Sequence, residues 1–185
     1  MIRHSTILKK SETCLLIVDI QKKLNTVMKY RERVIENTVK LVKGFNIFNL
    51  PIFVTEQFRE GLGPTEPEIL EYLNEKDIID KMTFSCCFSS ELIEQLKEKN
   101  IKQILLCGVE THVCVQQTAL DLIANGFEVH LINDAISSRK KNDHKTSIQR
   151  MSHAGVIVTT TESALFELLE RADSPEFRNI LKVIK

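Results

Sequence analysis

Six short apolar runs recur along the chain, and segments with apolar residues at helical spacing lie between them. The runs are rich in β-branched residues, and several are apolar at almost every position. That pattern is typical of strands that are buried on both faces of a sheet. The predicted strands are Cys14–Ile20, Pro51–Gln57, Ile78–Met82, Lys102–Gly108, Glu128–Asp134 and Val156–Thr161.

The intervening segments predict amphipathic helices. Ile35, Val39 and Val42 recur at i, i+4 and i+7, and similar stripes follow each later strand. Ser90 is the predicted N-cap of one helix, and Asn125-Gly126 is a typical helix end. Strands that alternate with helices predict parallel strands with crossover helices on both faces. We therefore expect a three-layer α/β fold with an open, doubly wound sheet of about six parallel strands, formed by a single domain over residues 1–185.

Two further segments are more elaborate than such a sheet requires. The stretch Phe58–Pro67 contains two glycines and two prolines and predicts a surface loop, a lid or an oligomer arm. A C-terminal helix is predicted over Pro175–Lys185, with an apolar stripe at helical spacing. That stripe packs either on the core of its own subunit or on a symmetric neighbour, and the second alternative predicts a homo-oligomer, a dimer or a larger assembly.

Composition narrows the functional classes. The chain has 25 basic and 25 acidic residues, so its formal net charge is zero, and 43% of its residues are hydrophobic. We expect a small-molecule substrate as the partner, with no nucleic acid. No apolar run approaches the roughly 20 residues of a membrane span, so no membrane partner is expected. Five cysteines, an odd number without CxxC spacing, favour a reducing, cytoplasmic location.

Candidate chemistry lies at the predicted strand ends, because ligands of doubly wound sheets bind beyond the carboxyl ends of the strands. Asp19 and Lys81 stand at two such ends, and Cys114 follows a third within a turn of a helix start. A helix N-terminus and a nearby ammonium would lower the pKa of a thiol, and a carboxylate could accept its proton. Each residue alone is more often a packing, capping or surface residue. Their convergence at one edge favours a reactive site. No dinucleotide or phosphate-loop motif occurs, so no cofactor is expected.

At these residues the chain resembles the isochorismatase-like cysteine hydrolases. The segments Leu15–Gln21, Lys81–Ser85 and Gly108–Val115 match the Asp, Lys and Cys motifs of that family in order and spacing. Two more stretches, Val54–Glu68 and Thr161–Lys185, resemble the branch of isochorismatase-domain-containing proteins.

The resemblance implies roles for the residues of these motifs. Cys114 would be the nucleophile, Asp19 the general base and Lys81 the neighbouring cation. It also implies a cis Val109–Glu110 bond, with the backbone N–H groups of Glu110 and Cys114 as an oxyanion hole.

Two departures from the family shape the expected chemistry. Metal-binding nicotinamidases of the family carry Asp-x-His after the second strand, whereas this chain has Thr55-Glu56-Gln57-Phe58, so no metal site is expected. True isochorismatases lack the cysteine, so Cys114 points to covalent acyl chemistry. Gln57, Phe84 and His112 are candidates to line the substrate pocket. Phe84 could instead belong to the core, and His112 could instead act as a base.

The leading hypothesis is therefore a metal-independent cysteine hydrolase acting on a small amide or a related acyl substrate. The alternative is a binding or scaffold module that retains the hydrolase fold with little turnover. A ribonuclease-like activity is a third possibility. Zero net charge and the absence of a basic strip with interleaved aromatic residues argue against it.

Overall fold

Six parallel strands form one sheet in the computed structural model, which describes residues 2–74 and 78–185. The strand order is β3-β2-β1-β4-β5-β6. The chain therefore winds outward in one direction from β1 and in the other from β4, and the switch point lies between those two strands. The strands are β1 (Thr13–Val18), β2 (Ile52–Gln57), β3 (Ile78–Lys81), β4 (Gln103–Val109), β5 (Glu128–Ser137) and β6 (Ile157–Thr159).

Helices cover both faces of the sheet, which confirms the predicted three-layer α/β fold. The helices are α1 (Lys22–Asn25), α2 (Arg31–Phe48), α3 (Arg59–Leu62), α4 (Pro67–Leu70), α5 (Ser90–Glu98), α6 (Gln116–Ala124), α7 (Lys141–His153), α8 (Thr161–Leu169) and α9 (Phe177–Ile184). Short 3₁₀ turns occupy Lys10–Glu12 and Cys86–Phe88, and a π-helical turn over Thr111–Val115 leads into α6.

The core is divided in two by the sheet. On one side, here called the α2 face, the sheet packs against α2, α8 and α9; on the other, the α6 face, it packs against α5, α6 and α7. Alternate residues of β1 serve the two sides: Leu15 and Ile17 lie on the α2 face, whereas Cys14 and Leu16 lie on the α6 face. Because both faces are buried, the strands are apolar at nearly every position, as the sequence pattern indicated.

A glycine sets the approach of the two central strands beside the switch point. Gly108 has φ +130°, and a Cβ at this position would collide with the backbone of Val18. Only glycine combines that backbone conformation with such close contact. The close approach brings β4 against the end of β1, immediately before Asp19.

At three places the structure differs from the sequence-based expectation or decides between its alternatives. Ser89, rather than Ser90, caps α5: its side chain accepts a hydrogen bond from the N–H of Leu92, while Ser90 is already the first helical residue. The stretch 58–67 contains the helical turn α3, which the Gln21 amide fastens by donating to the Gly63 carbonyl at 2.6 Å.

The third concerns the C-terminal stripe. On α9, Ile180 is fully buried and Phe177 and Ile184 are partly buried, all against the core of the α2 face. The stripe therefore packs on its own subunit. Among the residues that the structure describes, no helix has the length and apolar character needed to cross a bilayer.

Candidate active site

Asp19 lies at the carboxyl end of β1, where the backbone turns sharply. Its φ of 53° is in the left-handed region, which aspartate tolerates better than most non-glycine residues. Its N–H donates to the Thr55 carbonyl at 3.1 Å, and its carbonyl accepts from the N–H of Gln21 at 2.8 Å. These two bonds hold the turn, and the Asp19 carboxylate is fully buried beyond the sheet edge.

Lys81, at the end of β3, forms a buried ion pair with this carboxylate. Its Nζ lies 2.7 Å from Asp19 Oδ2, and the two side chains are 2% and 0% exposed. The ammonium also donates to Gln57 Oε1 at 2.9 Å, and it lies 3.2 and 3.3 Å from the carbonyl oxygens of Thr83 and Phe84. Burial is the largest single influence and would lower the pKa of Lys81, but the charge and hydrogen bond of Asp19, with Cys86 and Cys114 nearby, together outweigh it, so the pKa is raised. Lys81 is therefore an ammonium at neutral pH, with its donors directed at protein oxygens.

Thr55, in β2, holds the other oxygen of the carboxylate. Its hydroxyl donates to Asp19 Oδ1 at 2.7 Å, and the same hydroxyl oxygen lies 3.6 Å from Cys86 Sγ. Both carboxylate oxygens thus receive a hydrogen bond from the protein, as a buried charge requires. The sequence pattern alone did not indicate this role for Thr55. The available signal was strand register, since Thr55 is the β2 partner of Val18, the residue before Asp19.

Cys114 lies in the π-helical turn that precedes α6, and it is 5% exposed. The Glu110 carbonyl accepts hydrogen bonds from the N–H groups of Val113 at 3.0 Å and Val115 at 3.3 Å, so the turn is held on either side of the thiol.

The environment of the thiol corrects one expectation from the sequence. Burial raises the pKa of Cys114, the Asp19 carboxylate raises it further, and the Lys81 charge opposes them without prevailing. The expected lowering of this pKa is therefore wrong: the resting group is a thiol, with its proton near a carboxylate.

The residues around this turn face away from the thiol. The Glu110 carboxylate accepts a hydrogen bond from Arg139 Nε at 3.0 Å, so its side chain is committed to that pair. His112 Nδ1 lies 3.0 Å from Ser138 Oγ, and its Nε2 lies 4.0 Å from an oxygen of Asp143. One ring nitrogen therefore contacts Ser138, just after β5, and the other is directed at Asp143 in the first turn of α7, an arrangement that gives no support to a Cys–His dyad. The Val109–Glu110 peptide bond is cis.

The structure thus brings Asp19, Lys81 and Gln57 into direct contact and places Cys114 beside them. The Gln57 amide contacts the lysine through Oε1, and its Nε2 donates to the Met82 carbonyl at 2.9 Å. Phe84 reaches the site through its carbonyl oxygen, and its side chain is 54% exposed. The parts of Gln57, Phe84 and His112 in lining a substrate pocket stay predictions. Within residues 2–74 and 78–185, no three His, Cys, Asp or Glu side chains are grouped so as to hold a metal ion.

A doubly wound parallel sheet with a buried Asp–Lys pair and a thiol beyond its carboxyl edge places the chain among the three-layer α/β proteins, and comparison with known proteins identifies the family. The isochorismatase domain matches residues 13–163. The chain therefore belongs to the isochorismatase family.

Known proteins are similar to this chain over most of its length. Isochorismatase family protein 1A of Dictyostelium discoideum is 38% identical over 180 residues, which cover 94% of this chain and 86% of that protein. A Caenorhabditis elegans structure described as MAR1 ribonuclease superposes with a TM-score of 0.91 at 35% identity, covering 96% of this chain and 91% of the other. YcaC from Pseudomonas aeruginosa, described with hexane-2,5-diol and covalent acrylamide, gives a TM-score of 0.90 at 26% identity, with 98% and 93% covered.

Proposed function

We propose that the protein is a metal-independent cysteine hydrolase that cleaves the C–N bond of a small amide, or a related acyl bond, through a thioester at Cys114. One observation carries the proposal. A buried thiol lies beside a carboxylate whose two oxygens are held by Lys81 at 2.7 Å and Thr55 at 2.7 Å. Such an arrangement positions a base to take the proton of a nucleophile at the moment of attack.

The reaction begins from the neutral thiol. As Cys114 Sγ attacks the carbonyl carbon, a C–S bond forms and the thiol proton passes to Asp19. The negative charge on the carbonyl oxygen is stabilised by the backbone N–H groups of Glu110 and Cys114. Asp19 then returns the proton to the leaving nitrogen as the C–N bond breaks, which releases ammonia or an amine and leaves a thioester.

The second half of the reaction, hydrolysis of the thioester, regenerates the free enzyme. A water molecule attacks the thioester carbonyl and gives a proton to Asp19, so that a second tetrahedral oxyanion forms. The C–S bond breaks, the thiolate recovers the proton from Asp19, and the carboxylic acid leaves. Throughout both halves Lys81 keeps its contact with Asp19 and holds the carboxylate in place, because its donors are directed at protein oxygens.

A likeness to a covalently modified relative supports a nucleophile in this fold. The Pseudomonas YcaC structure, at 26% identity, is described with covalent acrylamide. Acrylamide is an electrophile that alkylates thiolates, the nucleophilic form of cysteine. The likeness to a protein described as a ribonuclease favours RNA as a second candidate substrate. Zero net charge and the pairing of Arg139 with Glu110 favour the small amide.

The test is a panel of small carboxamides and carbamoyl compounds, with ammonia release as the readout and a single-stranded RNA in parallel. Cys114→Ser should abolish amide turnover and retain the wild-type melting curve, because a hydroxyl ionises far less readily than a thiol. Cys107→Ser, on the α2 face, is the matched control and should keep turnover.

The outcomes separate the candidates. Amide turnover that survives Cys114→Ser would overturn the thioester route. RNA cleavage that is lost in Cys114→Ser, without any amide turnover, would establish the ribonuclease. Wild-type protein that turns over neither substrate would favour a binding or scaffold module.

We also propose a homo-oligomer, a dimer or a larger assembly, in a reducing, cytoplasmic setting. With the α9 stripe packed on its own subunit, the support is a set of exposed apolar side chains on the segments that follow β2 and β3: Phe58, Met82, Phe84 and Phe88 are 43%, 70%, 54% and 76% exposed. Apolar residues exposed together mark interaction surfaces. Analytical ultracentrifugation across micromolar concentrations should give at least twice the mass of one chain, and a monomer at every concentration would refute the assembly.

A further inference from the structure

Thr55 and Cys86 extend the site beyond the three residues of the proposed chemistry. Both are fully buried on the α6 face, and they contact each other, with 3.6 Å between Thr55 Oγ1 and Cys86 Sγ. Thr55 also lies 2.7 Å from Asp19 Oδ1. A threonine, a cysteine and an aspartate thus form a continuous row of polar atoms that ends at the proposed base.

Hydrogen counting fixes the direction of this row. The carboxylate that pairs with the Lys81 ammonium can only accept, so the one hydroxyl proton of Thr55 points to Asp19. The contact between Thr55 and Cys86 must then use the thiol proton, with Cys86 Sγ as the donor. Burial raises the pKa of Cys86 to about 11, which keeps that proton in place at neutral pH.

Cys86 is also fixed to the helix of the nucleophile. Its backbone N–H donates to Thr118 Oγ1 at 3.0 Å. Thr118 lies four residues after Cys114, one helical turn further along the same face. The row therefore connects the turn after β3, the end of β2 and the helix of Cys114, and its geometry is set by backbone as well as by side chains.

We propose that Thr55 is a positioning residue for Asp19, with Cys86 holding the Thr55 hydroxyl in its donating orientation. Asp19 is clamped at one oxygen by Thr55 and at the other by Lys81, so it cannot rotate away from the Cys114 thiol. The hydrogen bond also favours the ionised form of the carboxylate, the form that accepts the thiol proton. The consequence for catalysis rests on the proposed function, whereas the clamp itself can be measured without any substrate.

The experiment is ¹³C NMR of the Asp19 side-chain carboxyl at neutral pH on aspartate-labelled protein, with Asp19→Asn to assign the resonance. In Thr55→Val, which keeps the shape and removes the hydroxyl, the Asp19 carboxyl resonance should move away from its wild-type position, because Oδ1 loses its hydrogen bond. Thr55→Ser restores a hydroxyl and should return the resonance to near the wild-type position. Cys86→Ala should move the resonance in the same direction as Thr55→Val but less far.

Thr38→Val is the matched control, since Thr38 is another fully buried threonine whose hydroxyl faces a cysteine, Cys107, on the opposite side of the sheet. It should leave the Asp19 resonance unchanged. The same resonance position in wild type and Thr55→Val, or an equal shift in Thr38→Val, would overturn the proposal. If Thr55→Val does not fold, Cys86→Ala decides, and an Asp19 resonance at the wild-type position in that variant would also overturn it. Absence of amide turnover would count against the proposed function and would leave these spectra interpretable.

Discussion

Each face of the sheet buries a threonine hydroxyl beside a cysteine thiol, and the two pairs do different things. On the α2 face, Thr38 Oγ1 lies 4.0 Å from Cys107 Sγ. On the α6 face, Thr55 Oγ1 lies 3.6 Å from Cys86 Sγ, and its hydrogen bond continues to Asp19. The hydroxyl of the first pair contacts only a neutral thiol within the apolar core. The hydroxyl of the second pair also donates to the charged Asp19 carboxylate.

The difference shows that the same kind of buried pair can serve core packing on one face of the sheet and the proposed chemistry on the other. Residue types and burial are nearly the same in the two pairs, so neither composition nor depth distinguishes them. What distinguishes them is the element that carries the threonine: Thr38 lies on the helix α2, whereas Thr55 lies on β2 beside the end of β1, where Asp19 begins. A buried charge there requires a complete set of partners, and Lys81 and Thr55 supply it.

The largest effect should come from breaking the ion pair on the α6 face. Lys81→Met leaves Asp19 buried without its cation, and removing one partner of a buried pair costs about 3–5 kcal/mol of unfolding free energy. Urea unfolding monitored by circular dichroism measures the loss. Replacing both partners, as in Asp19→Leu with Lys81→Met, should recover most of that stability because no unpaired charge remains.

An exposed pair supplies the control. Arg171 and Asp173 have side chains that are 73% and 69% exposed, and Arg171→Met should leave the unfolding free energy nearly unchanged, because solvent screens an exposed ion pair. A Lys81→Met variant as stable as Arg171→Met would contradict the view that this edge depends on paired charge. So would a double variant no more stable than Lys81→Met alone.

Much of this architecture was predictable from the sequence, for a definite physical reason. Strands buried on both faces must be apolar, so β1 and β4 were visible as runs. The polar residues that follow β1 and end β3 mark the edge where chemistry can occur. Asp19 and Lys81 were located in this way before their contact was known. The helix of Cys114 was located by its stripe and by Asn125-Gly126 at its end.

Other features depend on depth and register, which a single sequence does not encode. The pKa of Cys114 was expected to fall, because the local signals are a helix start and a lysine, yet burial is the largest influence and raises it. The role of Thr55 follows from its pairing with Val18 across two strands. Capping by Ser89 rather than Ser90 depends on a backbone dihedral angle, since both residues have the required hydroxyl.

The smaller effect concerns the thiol of the α2 face, which titrates rather than reacts. Burial raises the pKa of Cys107 from 9.0 to about 12. The folded state therefore holds the thiol proton more tightly than the unfolded state. This contribution to stability is fully present below pH 9 and is lost progressively as the pH rises from there towards 12.

Cys107→Ala tests whether this thiol makes stability fall as the pH rises. Only the pH dependence of the unfolding free energy is compared, so the constant cost of the cavity left by the smaller side chain cancels. Between pH 8 and pH 10 the unfolding free energy of the wild type should fall further than that of Cys107→Ala, by about 1 kcal/mol. Thr38→Val keeps the thiol and should follow the wild-type decline. Urea unfolding at the two pH values gives all three differences. Parallel declines in wild type and Cys107→Ala would mean that the thiol has the same proton affinity in the folded and unfolded states, and the α2 face would then differ from a dry apolar core.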